Sequence, residues 1–396
     1  MPGHPSYRVA TFVDPEARLA AVGGSAKSAP PEGKRKEKRK KREGNRKGEK
    51  EKMEERRRKI RCNNISPSHI QERMAPELFR NQNYKLLKKE LIKDGRLFTD
   101  VEFPPSNSSI YFEQSALGEN VEWKRPGDLV KNPRLFVEGI SYNDVTQGIL
   151  GNCWFVAACA ALTRHKTLWS KVIPEALEQE WDKNKPERYC GIFHFCFWRF
   201  GHWVDVVIDD LLPTRNGELI FARSTTLNEF WSALLEKAFA KLNGSYESLA
   251  GGTLTEAFVD ITGGVPETIA LKSNHYVENQ TARSELFQYL KEACDLKALI
   301  AAAIVIGDGD REENPGIPGI SFGDGDPAKT SEEVEQQLDC GLVKGHSYAI
   351  SAIKRLALDA NHTSLMSQLF SRPEKIMMVR LQNPWGEKEW NGPWSD

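Results

Sequence analysis

Residues 34–61 carry 17 Lys and Arg against 6 Asp and Glu, with hardly an apolar side chain among them. A stretch of that composition has too little apolar surface to bury against the entropy of ordering it. A folded body must therefore be built from the residues C-terminal to it, and residues 1–75 are expected to form a poorly ordered basic arm. The overall balance of 55 basic and 55 acidic residues conceals this segregation. Outside 34–61 stand 38 basic and 49 acidic residues, so the body is acidic. The basic run reads first as a solvated charged tail. A nuclear-import address, or an arm for nucleic acid or an acidic membrane surface, is the sharper alternative. No aromatic residue interleaves the charges, which leaves base stacking unsupported.

The start of the chain has no apolar core of a signal peptide, and no run of about 18 apolar residues is present to cross a membrane. The seven cysteines, at 62, 153, 159, 190, 196, 294 and 340, are odd in number and irregularly spaced. They form no C-x-x-C pair and have no histidines clustered beside them. That pattern argues against structural zinc and for reduced thiols in a cytoplasmic or nuclear protein.

Within the body, "PELFRNQNYKLLKKELIKDG" has helical amphipathicity with Gly95 as its stop. A second helix opens at Cys153 and runs through "CWFVAACAALTRH". The period-two segments "GIFHFCFWRF" and "WVDVVIDD", joined at Gly201, predict a hairpin. "NEFWSALLEKAFAKLNG" predicts a strong helix with Asn228 as N-cap, Gly244 as stop, and Phe230, Leu234, Ala238 and Leu242 in one stripe. After "DITGG" strand character rises, with the best strands at 299–306, 346–354 and 376–383. The body is thus expected to divide into two regions, 76–265 and 266–396. Residues 307–330, rich in Gly, Pro and Asp, read as a long exposed loop. Asp308 and Asp310 suggest an EF-hand, but its obligatory glycine position is Glu313, which excludes it.

A thiol nucleophile needs a lowered pKa, a base beside it, and a group that fixes the base's tautomer. Cys153 lies where a helix would begin, and a helix N-terminus supplies the first need. His346, in "GLVKGHSYAI", stands at a strand entrance after a glycine, and Asn383, in "LQNPWGEKEW", ends a strand. The order Cys, His, Asn is that of papain-like proteases. Gln147 is placed to donate to an oxyanion beside the Cys153 N–H. Cys159, two turns into the same helix, reads as an inert core thiol.

The stretches "QGILGNCWFVAACAALT", "GIFHFCFWRFGHWVDVVIDDLLPT", "NEFWSALLEKAFAKLNGSYESLAGG", "DITGG", "GLVKGHSYAI" and "QNPWGEKEWNGPWSD" together resemble the protease core of the calpain family. The likeness covers roughly 121–396, and its detail is closest to the atypical calpain-five branch. It implies an α+β, papain-like core of two lobes, a helical one with Cys153 and a β-barrel-like one with His346 and Asn383. It implies a calcium-regulated cysteine endopeptidase acting on protein substrates, with no small-molecule cofactor. By the same resemblance Trp385 matches a gating tryptophan beside the His–Asn pair. One Ca2+ site would use Asp144, Glu229 and the carbonyls of Val137 and Gly139, and a second would use Glu389 and Asp396. Two departures stand out. Tyr142 occupies a position where conventional calpains carry an arginine coupling the two sites, and residue 396 falls inside the barrel lobe as the family builds it. A shortened calpain-like regulatory or binding protein is thus the alternative expectation.

Overall fold

Ten consecutive buried side chains, Cys153–Leu162, mark the centre of the molecule. A helix apolar on every side has no face to offer water, so other elements must surround it. The computed structural model describes residues 6–13, 75–113, 115–271, 273–305, 337–357, 375–386 and 390–395. Among these, six helices have seven or more residues: α1 Tyr84–Asp94, α2 Cys153–Leu162, α3 Lys166–Val172, α4 Trp231–Asn243, α5 Leu254–Thr262 and α6 Gln280–Asp295. None is long and apolar enough to cross a membrane. Seven strands have seven or more residues: β1 Ser6–Val13, β2 Ile192–Arg199, β3 His202–Asp209, β4 Val265–Leu271, β5 Leu299–Val305, β6 His346–Ala357 and β7 Lys375–Gln382. All belong to one compact unit, Met1–Ala17 with Glu77–Asp396.

The β2–β3 hairpin forms as its alternation requires, pairing Ile192 with Asp209 and Arg199 with His202. Its turn places Phe200 at φ 50° and Gly201 at φ 92°, the left-handed region a two-residue hairpin turn needs. Helix α4 lays Leu234, Leu235, Ala238 and Phe239 into the same core as α2, with the Phe155 and Phe239 rings stacked at 4.2 Å. Asn228 does not cap α4. Its Nδ2 donates instead to Asn132 O at 3.2 Å, and Phe230 holds the N-cap position. The reason is tertiary: Phe230 N and Trp231 N donate to Arg134 O and Leu135 O, so a crossing loop segment satisfies donors that a side-chain cap would take.

The second sheet is five-stranded in the order β7-β6-β5-β1-β4, antiparallel throughout. Its alternation decides what it separates. Leu299, Ala301, Ala303 and Ala349 join the α2 core, while Ile300, Ile350 and Ile353 pack with Phe287, Leu290 and Ala293 of α6. The sheet is therefore a layer between helices. The expected β-barrel-like lobe is corrected here, because among the described residues these strands remain open and close no barrel. Residues 6–13 correct the expectation for the arm: they form β1, pairing Tyr7 with Leu271 on one side and with Ile304 on the other. The remainder of the basic arm, and the 307–330 loop, lie outside the described residues.

Candidate active site

Cys153 is the first residue of α2 and is 2% exposed. Its Sγ lies 3.8 Å from Gly345 O. Gly345 turns at φ 74°, and its N–H donates to Ile304 O at 2.7 Å. That bond sets the head of β6 against β5, so the next residue, His346, is delivered beside the thiol's helix end. His346 is fully buried.

The imidazole is then fixed by geometry. His346 Nε2 lies 2.9 Å from Asn383 Oδ1, and the Trp385 backbone N–H donates to that same atom at 3.0 Å. An atom accepting from a backbone amide must be the oxygen, which settles the orientation of the Asn383 amide. Nε2 is therefore the donor in this pair, and a neutral ring carries its basic lone pair on Nδ1. The Trp385 ring lies 4.5 Å from the imidazole and covers it. Asn383 follows the last residue of β7, and the bonds around it cross to the loop before α2. Gln382 Nε2 donates to Tyr142 O at 3.0 Å, and Gln147 N donates to Pro384 O at 3.0 Å. Gln147 is buried, its Nε2 donating to Leu150 O at 2.8 Å. The expected nucleophile, base, orienting amide, oxyanion donor and covering tryptophan thus share one neighbourhood.

Asp144 and Glu229 are brought together as well. Glu229 is 2% exposed and Asp144 5%. Glu229 Oε1 accepts from Val137 N at 2.6 Å and Oε2 from Ser224 Oγ at 2.7 Å, while Asp144 Oδ2 accepts from Ser141 N at 2.5 Å. The two carboxyls are neighbours that act on each other electrostatically. Burial, then the neighbouring Asp144 charge, pushes the Glu229 carboxyl up to about 7 against the pull of its two donors. Burial raises Asp144 too. Among the described residues neither acid is ion-paired with Lys or Arg. Two buried, mutually repelling carboxylates suit a hard cation, although no group of three or more His, Cys, Asp or Glu forms a metal site among the described residues. Gly139 lies nearby in the loop at φ 99°. A surface cavity of about 370 Å³ opens beside this pair, lined by Lys131, Arg134, Phe136, Val137, Glu138 and Asn228, and not at Cys153. Glu389 and Asp396 lie outside the described residues.

Comparison with known proteins decides the family. A family model described as "Calpain family cysteine protease" matches residues 98–396. The chain belongs to the calpain family of cysteine proteases. It is of the calpain-5 type. It is 52% identical over 319 residues to "Calpain-5" of Caenorhabditis elegans and 45% identical over 318 residues to "Calpain-5" of Mus musculus, in each case 80% of this chain and 45% of the relative. It is 42% identical over 316 residues to "Calpain-A" of Drosophila melanogaster, covering 80% of this chain and 32% of that protein. The chain thus spans about half the length of the calpain-5 relatives it matches.

Two residues beside this candidate site, Asn152 and Glu236, escaped sequence reasoning. Asn152 immediately precedes Cys153, and its side-chain amide bonds Glu236 of α4. An Asn just before a helix signals a cap, but nothing local signals a partner 84 residues away.

Proposed function

We propose that the chain is a calcium-regulated cysteine endopeptidase that cleaves proteins through Cys153, His346 and Asn383. The observation that carries this reading is the fixed imidazole: Asn383 takes Nε2–H, so Nδ1 is the basic nitrogen, next to a cysteine at a helix N-terminus. His346 Nδ1 removes the thiol proton as Sγ attacks the scissile carbonyl. The same proton passes to the leaving amine when the C–N bond breaks and the thioester forms. Water then attacks the thioester, His346 takes the water's proton, and the acid and the thiol are released. The Cys153 N–H and the second Nε2–H of Gln147 stabilise the oxyanion.

Cys153 and His346 are both buried and Trp385 lies over the imidazole, so substrate must wait for an opening or rearrangement. The family is regulated by calcium in general, and the Asp144–Glu229 pair offers the oxygen ligands that calcium takes. When bound, calcium would neutralise both acids. Val137 and Gly139 would add carbonyls, and Glu389 and Asp396 would serve a second site. The bonds from Tyr142 O and Gln147 N to the chain around Asn383 supply a short path from that loop to the base. On this reading 76–265 and 266–396 act as two lobes moving against each other. A cytoplasmic or nuclear setting suits such an enzyme.

The test is thiol alkylation. With calcium present and iodoacetamide at mildly acidic pH, peptide mapping should find Cys153 modified before the other six cysteines, and His346→Ala should slow that reaction. Equal rates at Cys153 and at the half-buried Cys294 and Cys340, or no effect of His346→Ala, would remove the proposal.

A further inference from the structure

Asn152 holds the N-cap position of α2, where an Asn oxygen ordinarily accepts from the first turn's N–H groups. It makes no such bond. Its Nδ2 donates instead to Glu236 Oε1 at 2.7 Å, and its Oδ1, buried, has no hydrogen-bond partner. The Asn152 side chain is fully buried and Glu236 is 1% exposed. The other carboxylate oxygen of Glu236 accepts from Ala222 N at 2.8 Å. Ala222 belongs to a segment already strapped to the loop before the nucleophile. Thr146 and Arg223 exchange backbone bonds of 2.7 and 3.0 Å, and Ile149 N donates to Ile220 O at 2.9 Å. Glu236 therefore ties the end of that loop to the strap that carries its beginning.

A buried carboxylate without a cation is a costly way to hold two donors. Even with both donors in place, burial pushes the Glu236 carboxyl up to about 7. Packing alone does not call for a carboxylate here, and its hold on Asn152 needs an account. Holding Asn152 aside supplies one. With the amide turned toward Glu236, no side-chain oxygen occupies the first turn of α2. Phe155 N already donates to Asn152 O at 2.9 Å, so the Cys153 and Trp154 N–H groups and the positive end of the helix are what then face the thiol and the oxyanion.

We infer that Glu236 is a positioning residue, which diverts Asn152 from capping α2 and so keeps the helix N-terminus available to Cys153. This rests on Cys153 being the nucleophile. Its signature is that releasing Asn152 lowers reactivity without lowering stability in proportion, because the released side chain makes an ordinary cap.

The test uses the full chain and reads the pH dependence of Cys153 alkylation together with kcat and KM on an unfolded protein substrate. Glu236→Leu should reduce kcat about tenfold, the size of one capping interaction, and leave KM within about twofold. It should also raise the pH midpoint of alkylation. Adding Asn152→Ala to Glu236→Leu should recover much of the loss, because no oxygen is left to cap the turn. If Glu236→Leu does not fold, Asn152→Asp replaces it. Its carboxylate, repelled by Glu236, should turn onto the helix and give the same upward midpoint shift with the melting temperature kept or raised. An unchanged midpoint in either variant, or no recovery in the double variant, overturns the inference. Failure of the protease reading is distinct: there the wild-type Cys153 itself would show no enhanced alkylation.

Discussion

Lys237, one residue after Glu236 on α4, tests how that helix is anchored. Its ammonium is fully buried, donating to Asp209 Oδ1 at 2.5 Å and to Leu211 O at 2.6 Å. Asp209 is equally buried and also accepts from Asp100 N at 2.6 Å and Leu211 N at 2.9 Å. Lys237→Met keeps the stem's packing and removes the charge, leaving a buried carboxylate with only backbone donors. Removing one partner of a buried pair costs about 3–5 kcal/mol. The two N–H groups that remain on Asp209 put the expectation at about 3 kcal/mol. Adding Asp209→Asn removes the stranded charge, so the double variant should be more stable than Lys237→Met alone, with coupling of about 1.5 kcal/mol or more. Urea unfolding followed by tryptophan fluorescence measures all four corners of the cycle. A cost below about 1 kcal/mol for Lys237→Met, or single costs that simply add, would refute the reasoning.

Three further outcomes are expected. A Cβ at Gly148 would sit 2.3 Å from Ile220 O and 2.4 Å from Phe221 O, both backbone atoms. Gly148→Ala should lift the oxyanion loop and cut kcat/KM more than about tenfold, with a stability loss of about 1–3 kcal/mol; near-wild-type turnover would show that the strap does not set the loop. Asn383→Ala frees the imidazole to take the wrong tautomer, and kcat should fall about a hundredfold or more with KM little changed, measured by steady-state proteolysis. Asp260 is pushed up to about 7, chiefly by burial, against the pull of Arg199 at 3.2 Å. A carboxyl raised in the fold binds its proton more tightly folded than unfolded, so its contribution to stability falls as pH rises from about 4 to about 7. Asp260→Asn should flatten the unfolding free energy across that window relative to wild type, and parallel pH curves for the two proteins would contradict it.

Features coded locally were legible in the sequence. The β2–β3 hairpin followed from strict alternation and a glycine at the turn, and α4 from its apolar stripe ending at Gly244, which closes the helix at φ 110°. The boundary positions of Cys153, at the start of α2, His346, at the start of β6, and Asn383, just after β7, were legible from their local contexts. The features that escaped depended on distant partners. Asn228 looked like a cap, but the crossing loop segment at Arg134 and Leu135 took that role. Strand β1 precedes in sequence a charge run with little apolar surface, and its place between β4 and β5 comes from pairing with residues about 250 to 300 positions away. Helix α5 was missed although Thr253 and Glu256 form a capping box, a signal present in the sequence. Helix α6 was missed in a region whose strands dominated its pattern, despite the Asn279 cap. Glu236 was invisible for a different reason: a charge on an amphipathic helix looks solvated until its neighbours are known.

The central claim is that Cys153 is the nucleophile of a calcium-switched protease. The most direct measurement is cleavage of an unfolded protein by the purified full chain, titrated with calcium, beside Cys153→Ala. The expected result is cleavage that rises with calcium and vanishes in the variant, while both proteins keep the same circular dichroism spectrum. Cleavage that survives in Cys153→Ala, or a folded wild-type chain that cleaves nothing at any calcium concentration, would contradict it.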